Sequence, residues 1–359
     1  ALPIAQRALQ LDPRTLDARA AQALAASALG LHEEHLSHLE SVASVLPALL
    51  PHLARAQAAT GALDKAVLTL EQALSFSPDE PTLLRPLIAT LAKLNRLEEA
   101  LNYWHQLNAR GAADKATSGA LGVALAASGH HHEAIAPLEA ALAQASDPTW
   151  LQALGESLLA LHRADEAASA LLQATSVAGE DANTLRLLAQ AQMESQRWNE
   201  AAATLRRLTD LAPQDNQVWA ALGRAWMATG QYREAAEALQ RAARLRPDDA
   251  TVWLVLGEVY THLGEPQRSA QAIARAARLL PSDAAAWRLL AETEMRVGRW
   301  GEAAHAFERL TELEPGDAEN WSLLAQARAQ AGHLAESAEA LRQAARLAPS
   351  PERFHHLAR

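Results

Sequence analysis

Between residues 216 and 249, apolar and small side chains return every three or four positions. Trp219, Leu222, Gly223 and Trp226 fall at i, i+3, i+4 and i+7, the stripe of one amphipathic helix. Gly230 closes that stripe, and a second one, Tyr232, Ala235, Leu239 and Ala242, runs on to Pro247. Proline cannot continue a helix, and Asp248 and Asp249 directly after it are suited to start the next. The predicted unit is a helical hairpin.

The hairpin recurs with a fixed step. Trp219, Trp253, Trp287 and Trp321 stand 34 residues apart, and so do Pro213, Pro247, Pro281, Pro315 and Pro349. Gly230, Gly264, Gly298 and Gly332 each lie 17 residues before a proline, so the turn sits at mid-unit. Farther upstream, Gly129, Gly61 and Gly30 fall in the turn position. Ala201, Ala167, Ala134, Ala100 and Ala66 fall where two paired helices must approach closely. Full repeats are predicted to start near residues 16, 47, 81, 115, 148, 182, 216, 250, 284 and 318, in one continuous array over 1–359. Residues 1–13 read as the second helix of a preceding unit and 351–359 as the start of a following one, so a fragment or processed form of a longer protein is expected.

The N-terminal units are less regular. His35 replaces a small residue, Leu84, Ser118 and Leu151 fill the tryptophan position, and Pro86 and Pro137 stand inside predicted helices. An interior proline removes a hydrogen bond and costs about 3 kcal/mol, so kinks are expected there.

The recurring Trp, Leu-Gly, Tyr, Gly, Ala and Pro positions resemble the tetratricopeptide repeat over essentially the whole chain. That resemblance implies an all-α fold, a right-handed superhelical solenoid of tandem antiparallel hairpins whose first helices line a concave groove. It also implies a function: non-catalytic binding of a protein or peptide segment in that groove.

The face of each first helix opposite its apolar stripe is the candidate site. In the unit from 182 it is Asn183, Arg186, Gln190 and Met193. The following units place Gln217, Ala220, Arg224 and Met227 there, then Thr251, Leu254, Glu258 and Thr261, then Ala285, Arg288, Glu292 and Met295, then Glu319, Ser322 and Gln326. All three methionines of the chain share one position. Methionine adapts to varied partners but also fills loose core gaps, and both readings are open. The corresponding N-terminal faces, Thr82, Arg85, Ala89 and Ala92, then Ala116, Gly119, Val123 and Ala126, are small and nearly uncharged. The lysine, asparagine and arginine clamp with which some relatives hold a chaperone's C-terminal carboxylate is missing from these positions.

Composition narrows the alternatives. Hydrophobic residues make up 49% and charged residues 21%, enough for a folded core. Aromatics are only 4%, and the nine tryptophans are expected chiefly in core positions, not in ligand cages. The net charge is −10, and it sits mainly in the first half, where residues 1–180 hold 11 Lys and Arg against 19 Asp and Glu. An acidic chain without a basic stripe is a poor match for nucleic acid or an anionic membrane. No apolar run reaches transmembrane length, so membrane insertion is not expected. With no cysteine, the compartment stays open between cytoplasm and periplasm. Abundant alanine, leucine and arginine with three lysines suggests a bacterial, GC-rich genome.

No cofactor is called for. His32, His35 and His38, and the run His130, His131 and His132, lack the carboxylate or thiolate that would complete a metal set. No phosphate loop, nucleophile elbow or acid pair points to catalysis in this segment. An alternative is that the chain is the repeat arm of a larger machine, such as a glycosyltransferase of the protein O-GlcNAc-transferase type or a bacterial polysaccharide-synthesis or export assembly. Self-association through exposed end repeats is a further possibility.

Overall fold

The computed structural model describes residue 21, residues 32–78 and residues 80–348. The expectations for 1–13, for the first helix of the unit from 16, and for 351–359 lie outside them, as do the side chains of His32, His35 and His38. Among the described residues there are 19 α-helices and no strand. The chain divides into two compact units, Ala1–Ala191 and Gln192–Arg359.

In the first unit, α1 (His32–Ala43) is followed by a 3-10 turn (Pro47–Leu49) that runs into α2 (Leu50–Ala59). Then come the pairs α2 and α3 (Leu63–Phe76), α4 (Pro81–Lys93) and α5 (Leu97–Ala109), α6 (Lys115–Ala127) and α7 (His131–Leu142), and α8 (Pro148–Ala160) and α9 (Ala164–Ala178). Helix α10 (Ala182–Glu194) contains the division between the units. The second unit continues with α11 (Trp198–Leu211), α12 (Asn216–Ala228), α13 (Tyr232–Leu245), α14 (Ala250–His262), α15 (Pro266–Leu279), α16 (Ala284–Val297), α17 (Trp300–Leu313), α18 (Ala318–Gln330) and α19 (Leu334–Leu347). Within each unit, from α1 to α9 and from α11 to α19, each helix packs on its successor in sequence, which buries the apolar stripe that a lone hairpin would leave wet.

Aspartate explains where the first helices begin. Asp114, Asp147, Asp215, Asp249, Asp283 and Asp317 each accept a hydrogen bond from a backbone N–H in the first turn of the helix that follows. Asp181 does the same for α10 through the Thr184 N–H, at 2.9 Å. The first helix of each hairpin is followed by a left-handed residue. Gly230 has φ of +77°, and the Gln231 N–H donates back to the Trp226 carbonyl at 2.8 Å, closing the helix end. Where glycine is missing the backbone keeps the same form, with φ near +60° at Asn95, His162 and Gln196.

Glycine inside the helices sets how near two helices come. A Cβ added at Gly223 would stand 2.5 Å from Leu239 Cγ and 3.2 Å from the Ala235 carbonyl oxygen. At Gly257 it would stand 2.6 Å from Ile273 Cγ1. The Leu-Gly pair of the motif is therefore a seat for the large residue of the second helix.

Helices α4 and α7 continue through Pro86 and Pro137. The carbonyls that lose a partner belong to Thr82 and Glu133, both exposed residues that water can reach. One expectation needs correction: the tryptophans of the 34-residue step are less buried than expected. Trp287 is buried, while Trp219, Trp253 and Trp321 are half-buried. Each donates its indole N–H to the carbonyl of the proline six residues earlier: Trp219 to Pro213 at 3.0 Å, Trp253 to Pro247 at 3.0 Å, Trp287 to Pro281 at 3.2 Å and Trp321 to Pro315 at 3.1 Å. An indole that needs an acceptor settles at the edge of a core. Trp104 is the fully buried one, and its N–H is satisfied by Ser118 Oγ at 2.9 Å.

Candidate peptide-binding groove

The predicted site residues lie on the first helices, and most are exposed. On α10, Asn183, Arg186 and Gln190 are exposed and Met193 is half-buried. The first three belong to the first unit and Met193 to the second.

Within the second unit the structure brings Gln217 and Arg224 of α12 together with Thr251 of α14 around a cavity of about 280 Å³. Ala220, Val252, Val255 and Leu239 supply its apolar wall and Asp249 its rim. Asp249 is already committed to capping α14, accepting from the Thr251 N–H at 3.1 Å and the Val252 N–H at 3.3 Å. Arg224 therefore carries the cationic group of this cavity, with a glutamine amide and a threonine hydroxyl as neutral donors and acceptors beside it.

The other predicted residues are not gathered around that cavity. Glu258, Glu292, Glu319 and Gln326 are exposed on their own helices. Thr261 lies 2.9 Å from Ser269 Oγ and donates to the Gly257 carbonyl at 3.1 Å, which satisfies its hydroxyl internally. Arg288 reaches Glu314 at 2.5 Å and Asp317 at 3.9 Å, so its guanidinium is held by the segment leading into α18. Met227 and Met295 pack against the hydrophobic core from its margin.

In the first unit the small face is covered only in part, with Gly119 and Ala126 buried and Thr82, Ala89 and Ala116 exposed. Gly119 is buried against the Trp150 ring of α8, which occupies the space a side chain there would need. Arg85 pairs with Asp114 at 2.8 Å and donates to the Ala112 carbonyl at 2.9 Å.

Sequence reading missed a buried ion pair in the second unit. Glu294 of α16 has a side chain 4% exposed, and Arg299 donates to both of its oxygens, at 2.6 Å and 2.9 Å. Burial pushes the Glu294 carboxyl up from its ordinary pKa, and Arg299 pulls it partly back. Among the described residues no group of three or more His, Asp or Glu converges as a metal site would require, and no helix is long and apolar enough to cross a membrane.

Antiparallel helix pairs with a 34-residue step, aspartate caps and left-handed turns define an all-α repeat protein of the tetratricopeptide class. More particularly, residues 154–358 match the family described as the C-terminal domain of cilia and flagella-associated protein 70, and the chain belongs to that family. No curated protein is significantly similar to it. Among solved structures it is similar to MamA MSR-1, with 22% identity over 46% of this chain and 95% of that one and a TM-score of 0.43. It is likewise similar to YrrB, described as a tetratricopeptide protein with an unusual peptide-binding site, with 21% identity over 53% of this chain and 98% of that one and a TM-score of 0.43.

Proposed function

We propose that the chain is a non-catalytic scaffold that binds an extended segment of a partner protein along the exposed face of its first helices, centred on α12 and α14. The observation that supports this reading most is the cavity between these helices. There Gln217, Arg224 and Thr251 present an amide, a guanidinium and a hydroxyl beside an apolar wall, and among the described residues no hydrogen bond occupies the Arg224 guanidinium. A peptide backbone offers the carbonyls and N–H groups that such a set recognises, and its side chains supply apolar surface for Val252 and Val255.

Selection of binders from a random peptide library on the intact chain tests the reading, with the double variant Gln217→Ala, Arg224→Glu as the comparison. Peptides that bind the native chain should lose at least about tenfold in affinity on the variant, or about 1.4 kcal/mol. Unchanged affinity for every selected peptide would sink the assignment of this face.

A further inference from the structure

A second cleft lies in the same unit on the other side of α14. Helix periodicity puts Trp253, Leu256 and Tyr260 opposite the predicted groove residues Thr251, Leu254 and Glu258. With α13 and α15 they enclose a cavity of about 510 Å³ whose polar lining is Gln240, Arg244, Arg268, Gln271 and Arg275 beside the Tyr260 hydroxyl. Three guanidinium groups line it, and that of Arg268 is held by Glu265.

In three other hairpins the arginine that precedes the second helix is neutralised by a glutamate of its first turn. Arg96 pairs with Glu99, Arg163 with Glu166 and Arg197 with Glu200, each placing the arginine just before the helix and the glutamate one turn in. The α15 hairpin inverts that order: Glu265 comes first and Arg268 follows, paired at 2.7 Å. Glu200, Glu234, Glu302 and Glu336 occupy the positions that correspond to Arg268 at the 34-residue step. The inversion carries the cation into the cleft, where it lies 4.5 Å from the centre of the Tyr260 ring.

A second charge reversal meets it from α13. Arg244 stands where the repeats on either side of α13 and α15 carry Asp210 and Glu312. Arg275 corresponds in turn to Arg309, which is paired with Glu312 and lies 5.8 Å from the centre of the Trp287 ring. Arg278 takes the place of that glutamate beside Arg275. Among the described residues neither Arg244 nor Arg275 has a carboxylate within salt-bridge distance. Arg244 is oriented instead by its own backbone, donating to the Gln240 carbonyl at 3.3 Å, and Gln240 is tied to the Tyr260 hydroxyl at 2.8 Å.

We propose that this cleft binds a short acidic segment of a partner protein, whose carboxylates meet Arg244 and Arg275, with Arg268 held beside them by Glu265, while an apolar or aromatic side chain rests on Trp253 and Tyr260. Guanidinium groups bind carboxylates in paired hydrogen bonds, and the aromatic floor gives a peptide anchor that a bare anion lacks. The chain's overall charge of −10 favours a short peptide over a nucleic acid, which needs a continuous basic track.

The test is selection from an unbiased random peptide library on the intact chain, followed by affinity measurement on three variants. The first is the cleft variant Arg244→Gln, Arg268→Gln, Arg275→Gln. The second is a charge-matched control, Arg206→Gln, Arg342→Gln, Arg346→Gln, and the third is the groove variant Gln217→Ala, Arg224→Glu. Circular dichroism checks that each keeps its helix content, and Arg244→Gln, Arg275→Gln without the Arg268 change serves if the triple variant does not fold. The expected result is a class of peptides rich in Asp and Glu that loses at least tenfold in affinity on the cleft variant and keeps it on the other two. Loss on the groove variant alone would place the acidic peptides on the first-helix face and overturn the proposal while leaving the proposed function standing. Recovery of no acidic peptides, equal loss on the cleft variant and the charge-matched control, or a single-stranded oligonucleotide competing more tightly than any acidic peptide would overturn it as well.

Discussion

Gln196 sits in a left-handed turn, φ +60°, where six of the other described repeats use glycine and the remaining two use asparagine and histidine. Such a conformation costs a residue with a Cβ roughly 1 kcal/mol or more, partly offset by the chain entropy glycine would add when unfolded. Gln196→Gly is therefore expected to stabilise the protein by about 0.5–1 kcal/mol in urea denaturation. Glu294 gives the pH counterpart. Its carboxyl is shifted upward by burial, so both states hold the proton at low pH, and stability falls as pH rises from the ordinary glutamate range through the raised value. Removing Arg299 leaves that carboxylate buried without its partner. With Arg299 partly exposed and its charge screened by solvent, Arg299→Ala should cost about 1–2 kcal/mol near neutral pH and deepen the fall with pH, and Glu294→Gln in the same background should flatten it. Denaturation midpoints across an acid-to-neutral series would show both effects. The ion pair was not legible beforehand because Glu294 looks like one more solvated helix residue, and only the closing turn at Gly298 brings Arg299 back onto it.

At the scale of the helix, the boundaries follow from caps that are visible in the amino-acid order. Asp283 accepts from the Ala285 and Ala286 N–H groups at 2.9 Å and 3.4 Å, and Asp283→Ala should cost about 1 kcal/mol. The 34-residue step of tryptophan and proline was legible, but its reason was not. Each indole caps the carbonyl of the proline before its own helix, a bond that ties the linker to the helix it introduces. Trp321→Phe keeps most of the apolar surface and loses that bond, with an expected cost of about 1 kcal/mol in thermal or chemical unfolding. The prolines within α4 and α7 are accommodated for a related reason: the carbonyls they leave without a partner belong to exposed residues, which water can serve.

At the scale of the molecule, repetition makes the fold readable and the site hard to read. A periodic stripe says which face of a helix is buried, so the exposed set Gln217, Arg224 and Thr251 could be assigned by offset alone. Whether a given arginine in that set is available depends on residues outside the repeat position, as Arg288 shows through its bonds to Glu314 and Asp317. The acid-to-arginine reversals at Arg244 and Arg268 were present in the sequence, but they gain meaning only when α13 and α15 are seen to close on one cleft. The most direct measurement on the central reading is photo-crosslinking of a library-selected peptide to a photoreactive amino acid installed at Thr251 on α14, with Leu334 at the exposed start of α19 as the reference position. The account predicts a crosslink at 251 that an excess of unlabelled peptide removes, and none at 334. Equal labelling of both positions, or labelling of 334 alone, would contradict it.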